Sequence, residues 1–250
     1  MRTLAHALSL LLLAALPACA APRQSPPCED PRPLRVALVP VKNTHTQTRQ
    51  YRPLITALEA ATGRRVQAEP AKSYGSVIEG LLAGDIDLAE VGPASYAIAM
   101  KRGAQIDPIA SFTLQPGPAT PSSRAYHSVL ITRHDHPARD LKQLRGGTLS
   151  LTDPASTSGA ILPRQAVQRL TGVPLEAYFE RITFAGAHDR SIEAVRTGRV
   201  DATFVASNAV DDAVRNGALR MDEIRILWRS TPIPYDPFVT RRSLCPALQK

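Results

Sequence analysis

The run Asp153-Pro154-Ala155-Ser156-Thr157-Ser158-Gly159 sets three consecutive hydroxyl residues between a turn and a segment of helical period. A helix N-terminus presents up to about four unpaired backbone N–H groups and roughly half a positive charge. Adding the hydroxyls of Ser156, Thr157 and Ser158 would make a tetrahedral oxyanion site. The same run also reads as a plain helix cap, one serine holding the first turn and the others facing water. Pro163 lacks an N–H and would distort the helix that follows.

His188, in FAGAHDRSIEAV, opens another helical segment in which Asp189 or Ser191 can act as the cap. Tyr74 and Tyr126 are rings with a polar tip, suited to a core, a rim or a ligand. Singly, each of these residues has an ordinary structural explanation. As a set, the hydroxyls, one imidazole and two phenols are donors that suit one anion with an apolar wall behind it. The competing chemistry is catalysis, because Ser156 or Ser158 with His188 and Asp189 would suit a serine hydrolase. The sequence has no G-x-S-x-G elbow and no Cys/His spacing typical of a metal site. His134 and His136 in RHDHP fall in a polar loop and read as solvated. The expectation is a binding protein rather than an enzyme, without cofactor, metal or catalytic residues.

These groups need a scaffold to bring them together. From Pro33 onward, short β-branched runs alternate with helical-period segments, the pattern of α/β units on a largely parallel sheet. In the first half, 34–40, 65–69 and 85–91 read as strands, and 51–62 and 76–83 as helices closed by Gly63 and Gly84. In the second half, 147–154, 181–184 and 199–205 read as strands, and 164–171 and 191–197 as helices closed by Gly172 and Gly198. A shift of 114 residues lays Ile78 on Ile192, Glu79 on Glu193, Gly84 on Gly198 and Asp87 on Asp201. The same shift lays Pro40 on Pro154 and Tyr74 on His188. The chain therefore reads as two similar Rossmann-like α/β lobes joined by a hinge. Lobe 1 is 34–125, lobe 2 is 126–228, and 229–250 is the hinge return and C-terminal segment. The joining stretches are expected within 122–133 and 226–241. Open α/β sheets bind ligands outside the carboxyl ends of their strands, so two such lobes would enclose a cleft.

The 250 residues carry 30 Lys+Arg against 22 Asp+Glu, a formal charge of +8, which suits nucleic acid, a membrane surface or a small anion. An apolar share of 44% excludes wholesale disorder. The N-terminus, MRTLAHALSLLLLAALPACA, is too short in its apolar run to span a bilayer and reads as a signal peptide over 1–18. Export removes intracellular nucleic acid as the partner. Leu16-Pro17-Ala18-Cys19 resembles a lipobox in which Cys19 is acylated; ordinary cleavage at Ala18-Cys19-Ala20 is the other reading. Five prolines between residues 19 and 33 suit an extended tether. Cys28 and Cys245 then either pair, tying tether to C-terminus, or remain two free thiols.

Four stretches resemble one family: SYGSVIEGLLAGDIDLAEVGPASY, AYHSVLITRHDHPARDLKQLRGGTLSLTDPASTSGAILP, FAGAHDRSIEAVRTGRVDATFV and ILWRSTPIPYDPFV. They resemble, in order, the phosphonate/phosphite/phosphate-binding proteins of ABC transporters, a branch of the type II periplasmic binding proteins. The resemblance implies a Venus-flytrap fold that closes on a small phosphorus oxyanion and delivers it to a membrane permease. It implies that Ser156, Thr157 and Ser158 hold the oxyanion while Tyr74, Tyr126 and His188 donate further hydrogen bonds. Asp236 in PIPYDP would face the rest of the ligand or accept a proton from it. Where members that grip an aminoalkyl-phosphonate carry a second carboxylate, this chain has Asn208, which leaves phosphite, phosphate and small alkyl-phosphonates equally open. The chain stops at Lys250, where relatives commonly continue into further helices. The expected place is the periplasm, or a lipid anchor at the outer face of a bacterial membrane, with a monomer as the default state. A ligand sensor for a membrane receptor is the alternative within the same fold.

Overall fold

A computed structural model describes residues 28–249; the expected signal segment 1–18, Cys19 and the first part of the tether lie outside the described residues. The chain begins with β1 (Leu34–Leu38), α1 (Thr44–Thr62), β2 (Val66–Pro70), α2 (Tyr74–Ala83), β3 (Leu88–Glu90), α3 (Pro93–Lys101) and β4 (Ile106–Ser111). After β5 (Ala125–Tyr126) come β6 (Ser128–Arg133), β7 (Thr148–Leu151), α4 (Leu162–Thr171), α5 (Leu175–Tyr178) and β8 (Arg181–Phe184). Then follow α6 (His188–Arg196), β9 (Ala202–Ala206), α7 (Ser207–Arg215) and β10 (Ile224–Arg229). The short β11 (Ile233–Pro234) leads into the last strand, β12 (Pro237–Arg241).

These strands form two five-stranded sheets, in the orders β2-β1-β3-β12-β4 and β8-β7-β9-β6-β10. The orders correspond strand for strand, with one antiparallel strand, β12 or β6, inserted in the same place in each. The pairs β1/β7, α2/α6, β3/β9 and α3/α7 each begin 114 residues apart, so the internal repeat is a repeat of structure. Each inserted strand follows directly after a crossing between lobes. Of the joining stretches 122–133 and 226–241, β5 and β11 pair with each other outside the two large sheets, Tyr126 beside Ile233. Much of the rest of both stretches belongs to the large sheets, as the end of β10 at one edge and as β6 and β12, which are apolar enough to lie between neighbours as inner strands.

Helices cover both faces of each sheet, which is why the strands read as continuous apolar runs. On β1, Val36 and Leu38 pack with Leu88 and Phe238, while Ala37 on the opposite face packs with Val77, Ile78 and Leu81. In the second lobe Leu130, Leu149, Leu151 and Phe204 fill one side, and Val129, Ile131, Val205 and Val210 the other. Helix α1 begins at Thr44, earlier than the expected residue 51. Its first turns are polar, so they carry no apolar stripe to read, and Asn43 caps them by accepting from the His45 N–H.

The lobe carrying both termini is fastened electrostatically. Asp87, fully buried, accepts from the Arg35 backbone N–H (2.8 Å) and its guanidinium, and from Arg241 (2.6 Å). Arg241 also pairs with Glu29 at 2.7 Å. The structure joins Cys28 to Cys245, and Glu29 and Cys245 exchange strand-like hydrogen bonds with the C-terminal segment and Glu29 respectively. Removing one partner of a buried ion network strands the other charges. Asp87→Ala should therefore lower stability by about 3 kcal/mol or more in urea denaturation. Its counterpart in the repeat, Asp201, half-exposed and bonded to the Thr148 N–H and hydroxyl, should cost only about 1 kcal/mol when changed to Ala. Equal losses would refute this account of the network.

Candidate functional site

The matched helices α2, α3 and α6 start at the carboxyl ends of the strands, and their first N–H groups face the opposite lobe. Tyr74 N–H donates to Asp153 Oδ2 at 3.2 Å, Ala94 N–H to Thr157 Oγ1 at 2.9 Å, and His188 N–H to the Val41 carbonyl at 3.1 Å. The Ser95 hydroxyl donates to the Ala155 carbonyl at 2.9 Å, and Asn43 N–H to Asp189 Oδ2 at 2.6 Å. Lys42 and Asp212 form an ion pair of 2.6 Å across the same gap. The two lobes are thus in contact around a closed cleft.

Within it lies the hydroxyl run. Residues Thr157–Ile161 form a widened helical turn, in which Ile161 N–H bonds the Ser156 carbonyl five residues back at 3.0 Å. The wide turn delivers the chain to Pro163 at the start of α4, where a missing N–H costs nothing. Ser156 is the cap, accepting from Gly159 N–H at 3.1 Å, so the plain capping role holds for that serine. A side chain at Gly159 would overlap Thr152; only glycine lets the turn close on the strand end. Ser156 also lies close to the Tyr74 hydroxyl, and Ser158 and Thr157 close to the Tyr126 hydroxyl. Burial pushes both phenols well up, with the charge of Asp236 adding to it, so both remain donors. The Ser128 hydroxyl holds the Ser158 carbonyl at 2.6 Å, which anchors the run from β6.

His188 occupies the first position of α6 and is 4% exposed. Its Nδ1 accepts from the Ala206 N–H (3.2 Å) and lies 3.0 Å from the Thr152 hydroxyl. With Nδ1 an acceptor, the ring proton sits on Nε2. Desolvation, and secondarily the charge of Lys42, push the imidazolium pKa down to about 3. The group is a fixed neutral donor, unsuited to a serine–histidine proton relay at ordinary pH.

A cavity of ≈ 820 Å³ opens between the lobes, lined among others by Tyr126, His188, Asn208 and Asp236. Tyr74, Ser156, Thr157 and Ser158 form the packed layer in contact with this wall, through the pairs just described. Four of the eight expected residues, Tyr126, His188, Asn208 and Asp236, thus line the cavity, and the other four are buried in the layer beside it. Asp236 accepts from the Tyr126 hydroxyl at 3.3 Å, and desolvation raises its carboxyl to about 6. Phe112, Leu114 and Phe238 supply the apolar wall.

Two cavity residues escaped the sequence reading. Glu90, at the end of β3 and 2% exposed, accepts a hydrogen bond from the Tyr51 hydroxyl of α1. Burial, then the neighbouring charge of Asp236, pushes the Glu90 carboxyl up to about 8. The signal for it was present: a glutamate closing the otherwise apolar run Leu88-Ala89-Glu90-Val91 at the carboxyl end of a strand. Tyr51 offered none, since nothing local separates it from a core tyrosine. Among the described residues no cluster of three or more His, Cys, Asp or Glu could hold a metal ion, and no helix is long and apolar enough to cross a membrane.

Comparison with known proteins gives consistent matches. The family described as "ABC transporter, phosphonate, periplasmic substrate-binding protein" matches residues 36–250. The phosphate-import protein PhnD of Mycolicibacterium smegmatis is 31% identical over 224 residues, 86% of this chain and 68% of that protein. The phosphonates-binding periplasmic protein of Escherichia coli is 28% identical over 220 residues, covering 86% of this chain and 63% of that protein. The chain thus spans about two thirds of the length of these curated relatives. In structure, the binding-protein component of an ABC phosphonate transporter from Pseudomonas aeruginosa superposes with a TM-score of 0.78 at 22% identity. That match covers 87% of this chain and 71% of the other, and it shows the two-lobed fold.

The buried acid pair carries a pH signature. An unfolded glutamate titrates at its ordinary value of 4.5, whereas folded Glu90 holds its proton to about 8. Between those values the folded state binds more protons, so stability falls as pH rises, and Glu90's contribution is lost by about pH 8. Glu90→Gln should melt several degrees above the ligand-free wild type at pH 8, with the gap closing near pH 4.5 in thermal scans. A gap of the same size at both pH values would sink this reading.

Proposed function

Since the chain belongs to the phosphonate family of ABC-transporter periplasmic substrate-binding proteins, we propose that its interlobe cavity captures a small phosphorus oxyanion for a membrane permease. Proteins of this family bind substrates for transport and are not enzymes. The observation that carries the proposal is a set of neutral donors at the cavity: His188, its proton on Nε2, and Tyr126 on the wall, with Tyr74 and the hydroxyl run 156–158 buried in the layer beside it. Neutral, preoriented donors bind an oxyanion without a buried counter-charge, and the wide turn adds backbone N–H groups. The relative from Mycolicibacterium smegmatis is named for phosphate and that from Escherichia coli for phosphonates, so phosphate, phosphite and phosphonate are the ligands to test.

In this reading the lobes are 34–125, completed by the returning strand β12, and 126–228. Capture is closure: the cross-cleft bonds of Asp153, Thr157, Asp189 and Asp212 form when the lobes meet and hold the ligand in. The net charge of +8 speeds the approach of anions. The protein acts as a monomer, exported by way of segment 1–18, with Cys19 acylated and residues 19–33 as the tether. Replacing Cys19 by Ala should move it from the membrane to the soluble fraction on fractionation; unchanged membrane association would rule out the anchor.

Calorimetry with phosphate, phosphite, methylphosphonate and 2-aminoethylphosphonate should show one-to-one binding without turnover for at least one anion. The expected Kd is about 1 µM or tighter, roughly −8 kcal/mol. Ser158→Ala and His188→Ala should each weaken it by about 1–3 kcal/mol, the worth of a hydrogen bond to a charged group. Heat from none of the four anions would end the oxyanion assignment.

A further inference from the structure

Lobe 2 carries a second recess, apart from the interlobe cavity. Its ≈ 600 Å³ lie among the edge strand β8, its neighbour β7, helix α6 and the turn into β9. Arg181 on β8, Arg190 on α6 and Arg199 before β9 line it, all three exposed. Among the described residues none of these three forms an ion pair, although Arg133, Arg164 and Arg196 of the same lobe all do. Arg199 commits only its Nε–H, to the Thr197 hydroxyl at 3.2 Å. Like charges around one recess repel, so their gathering is unfavourable until an anion arrives.

The carboxylates at the recess are already taken. Asp189, which lines the recess and the cleft alike, accepts from the Asn43 N–H at 2.6 Å and the Arg190 N–H at 2.7 Å. Glu193 is held by Arg196 at 2.7 and 3.0 Å. The surround therefore stays net positive. The deep end of the recess is polar. Ser150 on β7 pairs in register with Thr183 on β8, so both side chains leave the sheet on the face opposite Leu149 and Leu151. Both line the recess. Ser150 is 1% exposed, and its hydroxyl has no hydrogen-bond partner. A buried hydroxyl without an acceptor costs free energy, and an anion entering past the arginines would supply that acceptor. Thr183 makes only a 3.5 Å bond to the Leu149 carbonyl, which leaves its hydroxyl able to turn to the same ligand.

We propose that this recess is a second anion site, for a small soluble molecule carrying two or more linked phosphates. Guanidinium forks match pairs of phosphate oxygens, and three of them from separate elements suit more than one phosphoryl group. A concave site that ends on a buried hydroxyl fits a free ligand better than the flat face of a bilayer. None of the eight residues assigned to the cleft takes part, so this site stands independently of the oxyanion reading.

The probe is inorganic tripolyphosphate, titrated by calorimetry into the purified protein at pH 7 and low salt. One equivalent should bind with a Kd of about 10 µM, weakening as salt is raised. The double variant Arg181→Gln/Arg199→Gln, its fold checked by circular dichroism, should bind at least about tenfold more weakly, with anion binding in the cleft unchanged. Ser150→Ala should weaken tripolyphosphate about threefold without lowering the melting temperature, because the lost hydroxyl has no partner in the empty protein. Ser158→Ala, a change in the cleft, should leave tripolyphosphate binding at the wild-type level. No binding, affinity that survives the double variant, or a loss produced equally by Ser158→Ala would each overturn the proposal. Binding confined to vesicles containing phosphatidylglycerol would put a lipid headgroup in place of the soluble ligand and overturn it as well. Should the double variant fail to fold, Ser150→Ala decides: unchanged affinity there overturns the site.

Discussion

The open N-termini of helices at the lobe interface are the constraint on which the rest of this structure turns. A helix cannot bond its own first N–H groups, so each must find an acceptor elsewhere. In this fold the acceptors come from across the cleft: Asp153 for Tyr74, Thr157 for Ala94, the Val41 carbonyl for His188. Neither lobe satisfies these donors alone when the cleft is shut. That dependence makes closure directional and gathers the positive ends of the helices at the interface between the lobes. The internal repeat follows naturally, because two copies of one α/β unit, set face to face, present the same helix ends to each other.

The hydrogen-bonding groups of the site are held neutral by the same geometry that buries them. Backbone bonds leave His188 with its proton on Nε2, and desolvation keeps the ring uncharged. The phenols of Tyr74 and Tyr126 keep their protons beside Asp236. Donors of this kind offer selectivity through direction rather than through net charge, and the basic surface contributes to the rate of approach. Against that background a protonatable acid such as Glu90 stands out, since burial raises its pKa into the physiological range. A family of transport proteins can vary its ligand by changing single residues on such a wall, while the fold remains as it is.

Much of this was legible beforehand, and the reasons are local. The strand 34–38, the helix after Ser73 and the stop at Gly84 are written in short-range apolar period and cap residues, and so is the copy of each displaced by 114 residues. Hydroxyls at 156–158 announced a helix start because capping chemistry is a matter of neighbouring residues. Other features were illegible for an equally physical reason. The start of α1 at Thr44 is hidden because its polar turns face the cavity rather than a core. The membership of β6 and β12 in opposite sheets depends on where the chain crosses, which no window of sequence encodes.

The sequence by itself determined the two-fold repeat, the lobes' α/β character and the apolar faces, because each rests on spacing along the chain; it also singled out the hydroxyl run, Tyr74 and His188, whereas Asn208 and Asp236 came from the family resemblance. Tertiary structure decided which of them do what. It made Ser156 the cap, turned His188 into an Nε2 donor through the Ala206 N–H, and brought Tyr51 and Asp236 to Glu90 from distant elements. Protonation and pairing depend on desolvation and on charges close in space, and both quantities exist only once the lobes have closed.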